Sequence, residues 1–299
     1  MREAALRFPL LRQGGVSKEF MGSKQVKSDL YGNPLAESDV NISRIRANFN
    51  LPVYSKGRNV IGASVGLVQQ RIELNNTKSF NSEFPVNDQV IDKTTINLAA
   101  FFSTTMNVFN KPLTLSANVA GLTDQMFSTF RLNFIGVATM GLKRTATTAY
   151  SVGLIVLADP SSPVPIFPYF NYWHKFDNNV ELFFELPTRL ALRKQLTKRA
   201  ALSLGSELSG TTAFLNLKDS SLPQKNLFAT LDLKTGPGFE YLVSKSIILG
   251  VSGGLFSTVN SRIYERSAKS DDYFISNKMG TTPYINFSIS ILPFLRSLY

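Results

Sequence analysis

Apolar and polar residues alternate with a period of two along most of the chain. Ile45, Ala47, Phe49, Leu51 and Val53 are separated by Arg46, Asn48, Asn50 and Pro52. Leu113, Leu115, Ala117 and Val119 are separated by Thr114, Ser116 and Asn118. Phe130, Leu132, Phe134, Gly136, Ala138, Met140 and Leu142 alternate with Arg131, Asn133, Ile135, Val137, Thr139 and Gly141. Val180, Leu182, Phe184 and Leu186 take one face and Glu181 and Glu185 the other, and Ile285 to Ile291 repeats the pattern. Successive side chains of a strand point to opposite sides, so each segment has one apolar and one mostly polar face. Helical spacing is almost absent. Such a sheet separates two different solvents.

The connections come in two kinds that take turns. Short, often basic turns stand at 54–58, 109–112, 143–147, 173–178, 196–199 and 243–246. Mostly longer connections stand at 75–90, 157–165, 210–225 and 260–281, with 121–126 and 187–188 as shorter members. Short turns on one rim and longer loops on the other is the plan of a transmembrane barrel. The segments between them lie near 42–54, 59–74, 91–109, 112–121, 127–143, 147–157, 165–173, 179–187, 189–195, 200–210, 226–242, 246–260 and 281–293. An even count with both ends on the short-turn side needs one more strand, and 16–26 supplies it through the turn at 31–34. The prediction is an all-β, antiparallel up-and-down barrel of fourteen strands over 16–299, after a mobile N-terminal segment, 1–15. Twelve strands is the alternative, because 179–195 divides poorly and Pro187 fits either a loop or a bulge. A soluble β-sandwich fits less well. Its strands average 5–6 residues and its outward face carries charge, whereas the polar face here is Asn, Ser, Thr and Gly.

Composition narrows the chemistry. Cysteine is absent and His174 is the sole histidine, which removes disulfides and thiolate sites and leaves little for zinc or triad chemistry. No apolar run approaches the ~20 residues of a spanning helix. The first twelve residues carry no signal-peptide apolar core, so an export signal is expected upstream of them.

Three stretches combine an aromatic or aliphatic strand with a tight turn: Phe49–Lys56, Gly238–Gly250 and Glu181–Leu190. In these units the chain resembles outer-membrane β-barrel families of Bacteroidota-type bacteria whose activity is unknown, over roughly residues 16–294. The resemblance implies export, insertion by the barrel-assembly machinery, and a final strand ending in an aromatic. Phe294 occupies that place, with residues 295–299 beyond it.

Two G-x-S-x-G matches occur, Gly62–Gly66 and Gly250–Gly254. Both lie inside alternating strands without the helix that a nucleophile elbow requires, so their serines read as lumen-facing and their glycines as room for neighbours. His174 falls in a short turn at the membrane edge. A barrel hydrolase is the weakest reading. Tyr172 and Trp173 read as interfacial girdle residues.

The alternation turns Arg131, Glu181, Glu185, Arg189, Arg193, Glu207, Asp232 and Glu240 inward. Three consecutive strands carry Glu181/Glu185, Arg189/Arg193 and Glu207, so opposite charges should face each other across the ladder. These pairs either stiffen the lumen or select what passes through it. The net charge of +11, from 32 basic and 21 acidic residues, falls largely on the short turns, at Lys56, Arg58, Lys111, Lys143, Arg144, Lys175, Lys198, Arg199 and Lys245. That places a basic rim against outer-membrane lipid headgroups, and no nucleic-acid motif accompanies it. The predicted protein is a passive channel or transport-type barrel for small solutes or lipids, needing neither cofactor nor metal. A structural or partner-binding envelope protein is the alternative.

Overall fold

The computed structural model describes residues 2–159, 165–217 and 222–294. Helix is confined, among them, to α1 (Arg2–Arg7) and a 3-10 turn at Pro9–Leu11. The strands are β1 (Gly14–Leu30), β2 (Asn33–Lys56), β3 (Asn59–Ser79), β4 (Gln89–Val108) and β5 (Lys111–Asp124). There follow β6 (Phe130–Arg144), β7 (Thr148–Ala158), β8 (Ile166–Lys175), β9 (Val180–Leu186) and β10 (Arg189–Gln195). The remainder are β11 (Ala200–Asn216), β12 (Lys225–Leu242), β13 (Ile247–Glu265), β14 (Tyr273–Met279) and β15 (Thr282–Ile291).

These fifteen segments make fourteen staves. From β1 to β13 each strand pairs antiparallel with the next. β14 and β15 both pair with β13 on one side and β1 on the other, so they are two lengths of one stave broken at Gly280–Thr281. That stave closes the ring and leaves no open sheet edge among the described residues, which is what a strand-built membrane protein requires. Turns and loops alternate between rims as predicted, and Pro187–Thr188 is the tight turn between β9 and β10.

The outer wall carries a belt of exposed apolar side chains, including Phe20, Val65, Leu98, Phe102, Val119, Phe134, Leu154, Leu192, Leu204, Val251 and Phe287. Large contiguous apolar surface on a folded chain needs an apolar partner, and a bilayer supplies it around the full circumference. The protein is a transmembrane β-barrel.

Several staves run well past the belt. β2 has 24 residues and β3 has 21, against the ~9–11 that cross a bilayer. Beyond the belt the alternation inverts. On β2, Ile45, Ala47 and Phe49 face out below, whereas Ser38, Val40 and Ile42 are buried inside above. A bulge between Met21 and Lys24 performs the same switch on β1. The expected loops at 210–225 and 260–281 are therefore corrected. β11 continues to Asn216, β13 to Glu265, and β14 lies inside the second of them.

The lumen is not round. β4 and β11 stand seven staves apart, yet the Thr95 hydroxyl donates to the Thr212 carbonyl at 2.9 Å. β11 can lean across because its pairing with β10 ends at Arg189 opposite Glu207. Ala213 and Phe214, on opposite faces of this leaning end, are both buried.

Candidate functional site

Three zones are stacked inside the barrel. At the short-turn mouth, the N-terminal residues sit within the ring. Ala5 packs against Ile248 and Leu292, and Phe8 meets Phe183 edge-on at 5.4 Å. The Arg7 guanidinium lies 5.5 Å from the Trp173 ring centre and 3.4 Å from Glu181 Oε1. Arg12 donates to Glu240 Oε1 at 2.7 Å and to Ser290 Oγ at 3.2 Å. The expected mobile segment, 1–15, thus contains a helix packed on lumen charges, and its last two residues already belong to β1. An opening of about 830 Å³ remains between this segment and the wall formed by β5 to β8. Asn97, Asn118 and Asn133 continue a polar inner surface along β4, β5 and β6.

Acidic and basic residues of β9, β10 and β11 stand opposite one another. Arg193 pairs opposite Glu181, with 3.8 Å between Nη1 and Oε2. Arg189 stands opposite Glu185 on one side and Glu207 on the other, its guanidinium 5.2 Å over the Phe183 ring. Glu240, two residues past the Gly238 that continues Arg193's row through Ser203, adds a further acid at this level and binds Arg12. Two of the eight residues lie elsewhere. Arg131 pairs with Asp159 near the long-loop rim and donates to the Arg266 carbonyl. Asp232 belongs to a separate middle zone.

That middle zone was largely missed from the sequence. Arg44 and Asp232 are each about 1% exposed. Arg44 donates from Nη1 and Nη2 to Asp232 Oδ2 at 3.2 and 3.3 Å, and from Nε to Gln70 Oε1 at 3.1 Å. Glu19 Oε2 lies 3.6 Å from Arg44 Nη1, and Lys234 Nζ donates to Glu19 Oε1 at 2.5 Å. Arg46 donates to Thr211 Oγ1 at 2.6 Å, and Lys24 to Thr258 Oγ1 at 3.0 Å. Thr230 and Thr258 hydroxyls also reach the Asp232 carboxylate, at 3.2 Å each. Four basic side chains share this space with Glu19 and Asp232, and Glu207 stands opposite Lys234 on the neighbouring stave. A buried charge needs such pairing and hydrogen bonding to be tolerated.

Above lies an apolar zone. Val40, Ile42, Val26, Met21 and Phe256 form one buried cluster. Leu30, Leu35 and Ile275 form a second, against which Phe84, Val86, Leu217 and Leu222 of the long loops pack. Between them is a cavity of about 570 Å³. At the base of the loop 80–88, the Thr77 N–H donates to Asp88 Oδ1 at 2.8 Å, which holds that carboxyl below the usual aspartate range.

Trp173 is corrected as a girdle residue. It is 8% exposed and points into the lumen under Arg7, while Tyr172 faces out and stacks on His174 at 6.2 Å. His174 Nδ1 shares a 2.9 Å hydrogen bond with Thr148 Oγ1. Neither G-x-S-x-G serine is placed with it. Ser64 is on the inner face of β3, and Ser252 accepts from Asn286 Nδ2 at 3.3 Å. The Phe101 ring occupies the space a Cβ on Gly62 would need, so that glycine serves packing. The tail 295–299 lies outside the described residues.

No protein-family model matches the chain, and no curated protein matches it. Among solved structures, the chain is similar to an outer membrane channel from Pseudomonas putida F1, at 10% identity and a TM-score of 0.38, covering 94% of this chain and 96% of that one. It is similar to a deletion mutant of the TodX monoaromatic hydrocarbon channel, at 11% identity and a TM-score of 0.35, covering 94% and 89%. A third likeness, to the outer membrane protease OmpT from Escherichia coli, has 9% identity and a TM-score of 0.21, covering 94% and 95%.

Proposed function

We propose that the protein is a gated transport barrel of a bacterial outer membrane, passing small solutes along the polar side of its lumen, with the N-terminal segment as the gate. One observation carries this reading: residues 5–12 are held in the short-turn mouth by the inward charges themselves, Arg7 on Glu181 and Arg12 on Glu240. The segment is fixed by two ion pairs, by Arg7 and Phe8 on the Trp173 and Phe183 rings, and by Ala5 against Ile248 and Leu292. It lies beside an opening of about 830 Å³ and belongs to no stave before Gly14, so it can leave without unfolding the ring. The charge ladder then has two uses. It binds the gate when closed, and it presents Glu181, Glu185 and Glu240 against Arg189 and Arg193 to a solute when open.

Planar-bilayer recording tests the proposal. The full chain should show low conductance with rare openings. Deletion of residues 2–12, or the pair Glu181→Gln and Glu240→Gln, should raise the open fraction at least tenfold. Arg189→Glu in the deleted form should shift ion selectivity toward cations. If the full and deleted chains are equally silent, transport fails and a structural or partner-binding role takes its place.

A further inference from the structure

We propose that the upper cavity is a binding site for a single-chain amphiphile with an anionic head, a fatty-acid-type carboxylate, and that Lys93 recognises the head. The cavity holds about 570 Å³, within the 300–1,000 Å³ usual for small-ligand sites. Its wall is mostly aliphatic and aromatic, with Val40, Ile42, Ile72, Leu74, Phe228 and Met279 among the lining residues. The long loops roof it through Phe84, Val86, Leu217 and Leu222.

Among the described residues, two charged side chains border this space, Asp92 and Lys93. Asp92 stands opposite the outward-facing Arg71, its Oδ2 3.8 Å from Arg71 Nη1. Lys93 stands opposite the buried, inward-facing Gln70 and so points into the barrel. Among the described residues no carboxylate lies within ion-pair distance of Lys93, although thirteen ion pairs occur among those residues. An ammonium bordering an apolar chamber strongly favours a ligand bringing the opposite charge.

The floor reinforces the sign. Gln70 connects Lys93's level to the middle zone, where Arg44, Arg46, Lys24 and Lys234 outnumber Glu19, Asp232 and Glu207. A neutral apolar molecule would leave Lys93 desolvated without a partner. A carboxylate at Lys93 with its chain directed toward Val40, Leu74 and the roof satisfies both ends. The outer faces of β2 and β3 at this height carry Asp39, Asn41, Gln69, Arg71 and Glu73, so the site lies in the water-facing part of the barrel beyond the lipid belt.

The test uses the full chain in nanodiscs of zwitterionic lipid, with 11-(dansylamino)undecanoate as the fluorescent probe and empty nanodiscs as the blank. Dodecanoate should displace the probe at a concentration at least tenfold below that needed for dodecanol. Lys93→Gln should raise the dodecanoate requirement about tenfold and leave dodecanol unchanged, and Lys93→Glu should transfer the preference to dodecylammonium. Val40→Trp should abolish all binding by filling the chamber. Equal competition by dodecanoate and dodecanol, indifference to both Lys93 substitutions, or unchanged binding in Val40→Trp overturns the proposal. The readout is binding, so failure here leaves the gate to be judged by conductance, and a silent barrel leaves this site to be judged by displacement.

Discussion

At the scale of single residues, Arg44 is the side chain the interior can least afford to lose. It is about 1% exposed and joins β2 to β12 through Asp232, to β1 through Glu19 and to β3 through Gln70. Replacing it by Met removes one charge and leaves two buried carboxylates, Asp232 and Glu19, with less compensation. Breaking a buried pair from one side costs about 3–5 kcal/mol. Arg44→Met should therefore lower the urea midpoint of the detergent-folded barrel by that equivalent, while Arg44→Met with Asp232→Leu should recover most of it. A double variant as unstable as the single one would show that the pair does not act as a unit. This cluster also marks the limit of the alternation as a guide. The period turns Asp232 and Glu240 inward, because direction is a property of the strand alone, and their contacts with Arg44 and Arg12 lie inside the ring. Their partners, Arg44 and Arg12, lie 188 and 228 residues away, and only ring closure brings them together. Trp173 failed for a related reason. A tryptophan near a basic turn fits both an outer girdle and an inner wall, and the strand's parity, opposite Phe183, decides for the wall.

At the scale of elements, the ring itself was legible because lipid-facing stretches repeat the same outward pattern and because short and long connections take turns. Strand ends were not. The alternation by itself ends strands where polar residues begin to face out, as at 75 and 210, since a bilayer rewards alternation of one sense only. Above the belt the solvents exchange places: water lies outside, and the packed clusters of Val40, Ile42 and Leu35 lie within. β3 allows this inversion to be tested on one strand. Val65 is outward and 45% exposed within the belt, whereas Gln69, four residues on, is outward and exposed above it. Val65→Arg should destabilise the barrel by about 2–4 kcal/mol if it meets the bilayer near its midplane. Gln69→Arg should stay within about 0.5 kcal/mol, as a substitution in water does. Folded fractions across a urea series in lipid vesicles would report both. Equal costs at the two positions would move the edge of the belt and undo the assignment of the upper cavity to the water-facing part.

At the scale of the whole molecule, charge and chain direction together predict an orientation. The N-terminal segment, the last residues of β15 and the basic turns near Arg58, Lys111, Arg144, Lys175, Lys198 and Lys245 share one rim. The loops that roof the apolar cavity, 80–88 and 217–224 where described, share the other. Single-chain barrels of bacterial outer membranes keep both ends and the short turns on the periplasmic side, and a basic rim there meets phospholipid headgroups that include anionic species. The gate would then face the periplasm and the amphiphile site the cell exterior, so that a ligand reaches the cavity before it reaches the gate. The absence of cysteine from the chain makes the orientation readable without a background signal. Ser82→Cys places one thiol in the exposed loop after β3, and Ser55→Cys places one beside the turn after β2. A membrane-impermeant maleimide added to intact cells should label the Ser82→Cys protein directly. The Ser55→Cys protein should be labelled only after the outer membrane is permeabilised. The opposite pair of results would put the basic rim outside, and with it the gate, leaving the apolar cavity to receive its ligand from the periplasm.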